Sequence, residues 1–190
     1  MKKLFCVIGP SGSGKSTYVS YAKKAGDFGE IISTTTRPPR KGEVDGKDYH
    51  FVSQNEFQEL EMIQRDEYAG HFYGTAQRDL ETAYQKNSHA FMVVTYEGAL
   101  MFKKLFEKRK LDIEVVTIFI YTPVEELQQR MLSRGDTIEH VQERIDNIQK
   151  RKEYENINKV DYVFHVDVHL SITENSQRFL KLVQDVISNC

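Results

Sequence analysis

Apolar residues fall in two alternating patterns along this chain. Short, mostly apolar runs occur at Leu4–Ile8, Phe91–Thr95, Glu114–Tyr121 and Tyr162–Val166. Each is the length of a strand buried on both faces. Between them the apolar residues return every three or four positions, the period of a helix with one covered side. This predicts helices over Gly14–Ala25, over Glu97–Lys110 with the pairs Met101/Leu105 and Phe102/Phe106, and from Pro123 to about Ser133. It predicts a long helix over Thr137–Tyr154 with Ile138, Val141, Ile145 and Ile148 on one stripe, and a last helix over Ser171–Ser188. Strand alternating with helix means an α/β fold: a parallel sheet with helices on both faces.

Two segments break the alternation. Residues 33–75 are polar, carry arginines and tyrosines, and hold only short strand-like stretches. Asp45-Gly46 suggests a hairpin turn between Glu43-Val44 and Tyr49–Val52, so the segment reads as an insert of small antiparallel strands. Arg134-Gly135-Asp136, between two polar helices, reads as a hinge or a mobile loop. The predicted division is one domain over residues 1–190. Its core is 1–32, 88–130 and 155–190, its insert 33–87 and its lid 131–154.

The sharpest chemistry lies between the first strand and the first helix. Gly9-Pro10-Ser11-Gly12-Ser13-Gly14-Lys15-Ser16 fits G-x-x-x-x-G-K-[ST], and Thr17 follows. A polyphosphate needs many backbone N–H groups converging on one point, and glycine lets the chain turn tightly enough to supply them. The helix that follows aims its positive end at the anion. Lys15 would reach the outer phosphates and Ser16 would ligate Mg²⁺. A strand before and a helix after complete the P-loop context, so residues 9–17 are assigned to ATP or GTP with Mg²⁺, and the resemblance below implies ATP. In the insert, Arg37 and Arg40 offer planar forks of donors, and Tyr49 and Tyr73 add hydroxyls. A second phosphate site of this kind is what a nucleoside-monophosphate kinase requires.

Bulk properties narrow the partners. The net charge of −2 gives no general attraction to nucleic acid or to a membrane surface. No apolar run is long enough to cross a bilayer. The cysteines, Cys6 and Cys190, form no framework, which fits a reducing cytoplasm. His165, Asp167 and His169 alternate, a spacing that suits either a metal or a plain strand end.

The stretch "STTTRPPRKGEVDGKDYHFVS" resembles the monophosphate-binding signature of guanylate kinases. With "GPSGSGKST", "EYAGHFYGT" and "RMLSRG…QERI", the resemblance runs in order along nearly the whole chain. It implies a P-loop kinase fold with a monophosphate-binding insert and a helical lid, moving the γ-phosphate of ATP to GMP or dGMP. It implies that Arg37, Arg40, Tyr49 and Tyr73 hold the GMP phosphate, and that Ser33, Glu67 and Thr75 surround the guanine. It implies that Arg130, Arg134 and Arg144 are lid arginines acting in catalysis with Lys15 and Arg37. The chain departs from the family where a strand-end pair of aspartates is usual. Val93 and Thr95 stand there, with Thr95 left to accept one hydrogen bond from the base. Two other readings stay open: a kinase for a different monophosphate, and a guanylate-kinase-like binding module without turnover. The expected partners are small nucleotides, with the protein a monomer or a homodimer.

Overall fold

The computed structural model of the chain describes every residue except Lys41, Ala69, Arg134 and Cys190, and of Tyr68 the backbone alone. In chain order the elements are β1 (Lys2–Ile8), α1 (Lys15–Ala25), β2 (Phe28–Glu30), β3 (Thr34–Thr35), β4 (His50–Phe51) and α2 (Gln54–Glu59). Then come β5 (Met62–Tyr68), β6 (His71–Ala76), α3 (Gln77–Gln85), β7 (His89–Val93), α4 (Tyr96–Arg109) and β8 (Ile113–Tyr121). The chain closes with α5 (Val124–Ser133), α6 (Ile138–Lys150), a 3₁₀ helix (Glu153–Lys159), β9 (Tyr162–His165) and α7 (Ile172–Ser188).

Five strands form a parallel sheet in the order β2-β7-β1-β8-β9. Strand β1 sits in its centre, and its side chains alternate between two cores. Phe5 and Val7 join α1 and α7 residues such as Tyr18, Val19, Phe179 and Val183 on one face. Leu4, Cys6 and Ile8 join α3 and α4 residues such as Leu80, Phe102 and Phe106 on the other. Burial on both faces explains why the strand reads as a continuous apolar run. Cys6 is wholly buried, and burial pushes its thiol far up, so it packs as a small hydrophobe.

A second sheet has the order β4-β3-β6-β5. Three of its strands are antiparallel as expected, but β3 and β4 pair in parallel. The predicted hairpin does not form. Gly46 turns the chain at φ 72°, yet its flanks meet in a single bridge, Asp45 with Tyr49, and His50 goes on to pair with β3 instead. The small sheet closes at Ala76. Helix α3, inside the expected insert 33–87, buries Leu80 and Ala83 in the core of the main sheet.

Helices α5 and α6 share a core of Leu127, Met131, Val141, Ile145 and Ile148, so most of α5, expected in the core unit, packs with the segment expected as a lid. Ile138 is not on that stripe: it is 74% exposed, at the first residue of α6. Helix α6 also ends earlier than the pattern suggested. The chain turns left-handed at Lys152 (φ 53°), and residues up to Lys159 continue as a 3₁₀ helix. Gly135 stops α5 at φ 90°: its N–H donates to Leu132 O while that of Asp136 donates to Met131 O.

Candidate active site

Residues 9–14 link the carboxyl end of β1 to the start of α1. Gly9 adopts φ 146°, and a Cβ there would lie 2.8 Å from Ile120 O, so the loop rests directly on β8. Gly14 adopts φ 95° immediately before α1. The Ser13 N–H donates to Pro10 O at 3.2 Å, closing the turn. The Ser13 side chain is fully buried, and its hydroxyl has no hydrogen-bond partner among the described residues. Lys15 Nζ donates to Gly9 O at 2.7 Å and to Pro10 O at 2.8 Å, which holds the ammonium at the loop. Ser16 and Thr17 are exposed in the first turn of α1. An exposed hydroxyl beside a helix N-terminus and a lysine is a donor set that fits Mg²⁺ bound together with phosphate.

Helix α6 meets this loop. Arg144 Nη1 lies 3.4 Å from Ser11 Oγ and 3.5 Å from Asp136 Oδ2. Arg130 Nε donates to Glu126 Oε1 at 2.7 Å. Burial pushes the Tyr18 phenol up, and the neighbouring Arg130 guanidinium pulls it part of the way back. Arg130 also lines a cavity of about 270 Å³ with Gly12, Gly14, Thr17, Leu170 and Asn175. The sequence did not single out Asn175. Its amide donates to Asp167 O at 2.8 Å and its Oδ1 accepts from Asp167 N at 3.0 Å, which fixes the loop after β9. Arg134 lies outside the described residues.

The structure gathers Arg37, Tyr49 and Tyr73. The Arg37 guanidinium carbon is 5.5 Å from the centre of the Tyr49 ring, and the Tyr49 and Tyr73 ring centres are 6.0 Å apart. Arg37 is 9% exposed. Its Nη1 and Nη2 donate to the two carboxylate oxygens of Glu43, each at 2.9 Å. Burial works against the Arg37 charge, and the Glu43 carboxylate outweighs it, so the guanidinium is held above its ordinary value. Burial likewise raises Glu43, but Arg37 and the Arg40 N–H more than reverse this and hold it low. Arg40 itself is exposed. Tyr49 is half-buried, and its phenol is pushed up by burial first and by Tyr73 second.

Register overturns the expectation for Glu67. Strands β5 and β6 pair Gln64 with Thr75, Arg65 with Gly74, Asp66 with Tyr73 and Glu67 with Phe72. Paired residues project to the same face, and successive residues alternate. Tyr73 marks one face by its contact with Tyr49. Phe72 marks the other: it stacks on Phe57 of α2 at 5.7 Å, and Arg65 lies 5.8 Å from that same ring. Glu67 therefore projects to the α2 side, away from Tyr73 and Thr75. Gln64 and Asp66 take the side it was expected to occupy. Ser33, one step before β3, falls opposite Thr75 as the β3/β6 register continues. Thr75 is fully buried, and its hydroxyl has no partner among the described residues. Gln64 Nε2 reaches to 4.0 Å from Met101 Sδ on α4, so this edge of the small sheet meets the main one.

Thr95 also differs from expectation. It is exposed and caps α4, its hydroxyl oxygen accepting from Gly98 N at 3.1 Å. One lone pair of that oxygen serves the helix, which ties the Thr95 side chain to the start of α4. Acidic charge does approach the loop from elsewhere. Burial holds the Glu153 carboxyl up, the charges of Lys15 and Arg151 lower it, and Glu97 raises it. The alternating histidines form no metal site. Asp167 Oδ1 accepts from His169 N at 3.0 Å, His165 lies against Tyr121, and no metal-binding group of three or more His, Cys, Asp or Glu occurs among the described residues.

A phosphate-binding loop, a lid arginine against it, and an arginine–tyrosine cluster on an inserted sheet make the layout of a nucleotide kinase. The family model described as guanylate kinase matches residues 1–181. The chain belongs to the guanylate kinase family. It is 40% identical over 140 residues to a guanylate kinase of Chlamydia pneumoniae, an alignment spanning 70% of this chain and 65% of that protein. It is 36% identical over 172 residues to one from Thermus thermophilus, spanning 87% of this chain and 74% of the relative. The fold resembles the crystal structure of guanylate kinase from Anaplasma phagocytophilum, with a TM-score of 0.66 and 28% identity. That likeness covers 97% of this chain and 84% of the other. These relatives support phosphorylation of GMP by ATP. Among the described residues no helix is long and apolar enough to cross a membrane.

Proposed function

We propose that this protein transfers the γ-phosphate of ATP to GMP or dGMP in the cytoplasm, as a monomer or a homodimer. The observation that carries this reading is the presence of both the Lys15 loop and the half-buried Arg37–Tyr49–Tyr73 cluster, one suited to a donor triphosphate and the other to an acceptor monophosphate. Residues 9–17 hold the ATP phosphates by backbone N–H groups and Lys15. Arg144 and Arg130, with Arg134, bring positive charge to the transferred group, which is most of what phosphoryl transfer asks of side chains. Ser16 would hold Mg²⁺, which when bound neutralises charge across the outer phosphates. Arg37, Arg40, Tyr49 and Tyr73 hold the acceptor phosphate.

Ser33, Thr75 and Gln64 meet the base in this reading, with Gln64 in the role first given to Glu67. A carboxamide offers one acceptor beside one donor. It matches the N1–H and O6 of guanine, but it also matches the N3–H and O4 of a pyrimidine, and adenine after a flip. The proposed base preference is therefore for guanine with a narrower margin than a carboxylate gives. ADP release measured with GMP, dGMP, AMP, UMP and dTMP tests this. GMP and dGMP should turn over fastest, with measurable turnover of at least one other monophosphate. Fastest turnover with a non-guanine monophosphate would overturn the guanine assignment, and no turnover with any would overturn the kinase reading.

A further inference from the structure

Glu43 has no part in the function described so far, yet it is the residue most closely engaged with Arg37. Its two carboxylate oxygens take the two terminal nitrogens of the guanidinium. Oxygen Oε2 also accepts from the Arg40 N–H at 2.6 Å, and the Glu43 N–H donates back to Arg40 O at 3.0 Å. Arg37 Nη1 donates in addition to Pro38 O at 2.6 Å.

A guanidinium has five N–H donors in one plane. Both protons of Nη1 and one of Nη2 are used by Pro38 O and Glu43. The remaining two, on Nε and Nη2, form the side edge of the fork, a bidentate surface of its own. Tyr73 interacts with this guanidinium as well, and the Tyr49 ring stands 5.5 Å from it. Glu43 is thus clamped to the far edge of the arginine and to the backbone that carries Arg40.

We infer that Glu43 is a positioning residue for the acceptor phosphate. It holds Arg37 by its end, turns the side edge of the guanidinium towards the monophosphate, and ties the Arg37 and Arg40 segments into one rigid cradle. The inference rests on the proposed role of Arg37 at the acceptor phosphate. The carboxylate does not touch substrate in this arrangement. Its work is to fix an otherwise mobile side chain before binding, so that less ordering is left to be done when the phosphate arrives.

The test is binding of GMP, guanosine and ATP to the native protein and to Glu43→Gln, Glu43→Asp and Arg37→Ala, by calorimetry with competition for the weak nucleoside. Glu43→Gln keeps one acceptor oxygen and should lower GMP affinity about tenfold. Guanosine and ATP affinity should stay near native, with some fall in Tm because the buried Arg37 loses its charged partner. Glu43→Asp keeps the charge on a shorter arm and should fall between native and Gln. Equal losses for GMP and guanosine would make Glu43 merely structural and overturn the inference. Unchanged or tighter GMP binding in Glu43→Gln would overturn it too, the tighter case meaning that the carboxylate competes with phosphate. If Arg37→Ala binds GMP as well as the native protein, the acceptor-site reading itself fails, and the inference with it.

Discussion

The two phosphate sites proposed for this molecule draw on the chain in different ways. The proposed donor site is one contiguous stretch, residues 9–17, running from the end of β1 into α1. The proposed acceptor site draws on Arg37, Tyr49, Gln64, Tyr73 and Thr75, which lie on or beside four short strands that pair in one register. A local motif carries its geometry with it, since glycines and a helix start are enough to shape it. A site built across strands changes face with every one-residue step. Glu67 and Gln64 show the difference. They are three apart in the chain and fall on opposite faces of the sheet.

Lys15→Ala tests the contiguous half and should have the largest effect. It removes positive charge from the transferred phosphoryl group and should cut kcat by about 10²–10³-fold, with Tm near native because Lys15 is not a core residue. Activity retained at a tenth of native or more would break the assignment of the donor site.

The acceptor half should fail more selectively. Arg37→Ala removes a charge-assisted hydrogen bond and should weaken GMP binding by about 1.5–3 kcal/mol, with ATP binding unchanged. It also leaves Glu43 half-buried without its partner, so some loss of stability is expected. Titrating the two nucleotides separately distinguishes these. Equal losses for ATP and GMP would erase the separation of the two halves.

Gln64 and Glu67 project to opposite faces, so two carboxylate changes should have opposite outcomes. Gln64→Glu should raise the preference for GMP over UMP and AMP by about 1 kcal/mol, the gain from a charge-assisted bond to the guanine donors. Glu67→Gln, on the exposed α2 face, should leave GMP binding within about 0.5 kcal/mol of native. The reverse result would mean that Glu67 reads the base and that the faces have been read the wrong way round.

The smallest effect belongs to Glu153, where acidic charge approaches the donor loop. Its carboxyl is held above the ordinary 4.5, chiefly by burial. A raised folded-state value means that the protonated form favours the fold. Its stabilising contribution is complete below the unfolded value and is lost as pH rises through the folded one. Glu153→Gln should therefore raise Tm at neutral pH by no more than about 2–4 °C. The difference should vanish below about pH 4, where the native carboxyl is protonated as well. A difference that grew on acidification would contradict the assigned direction.

Much of the fold was legible because its signals are local. Strand β1 is apolar at every position from Leu4 to Ile8, since both of its faces are covered, and the alternation with helices then requires a parallel sheet. Phe102 and Phe106 marked the buried side of α4, and both are buried. Ile138 misled because an apolar residue at the right spacing still stands at a helix end, where nothing packs over it. The end of α6 was missed because a left-handed turn at a lysine leaves no mark in the residue pattern. The Asp45-Gly46 hairpin failed because the chain after the turn found a better partner in β3.

By itself the sequence determined the P-loop pattern, the strand–helix order and an inserted segment rich in arginine and tyrosine. Each rests on residue type and short spacing. Tertiary structure alone decided that Gln64, not Glu67, faces Thr75, that Thr95 closes a helix, and that Glu43 grips Arg37. Those outcomes depend on which strands pair, in which register, and on which side of a sheet a neighbour packs. The chain settles these only once distant segments have met, because the free energy of covering one face or the other is shared among residues far apart in the sequence.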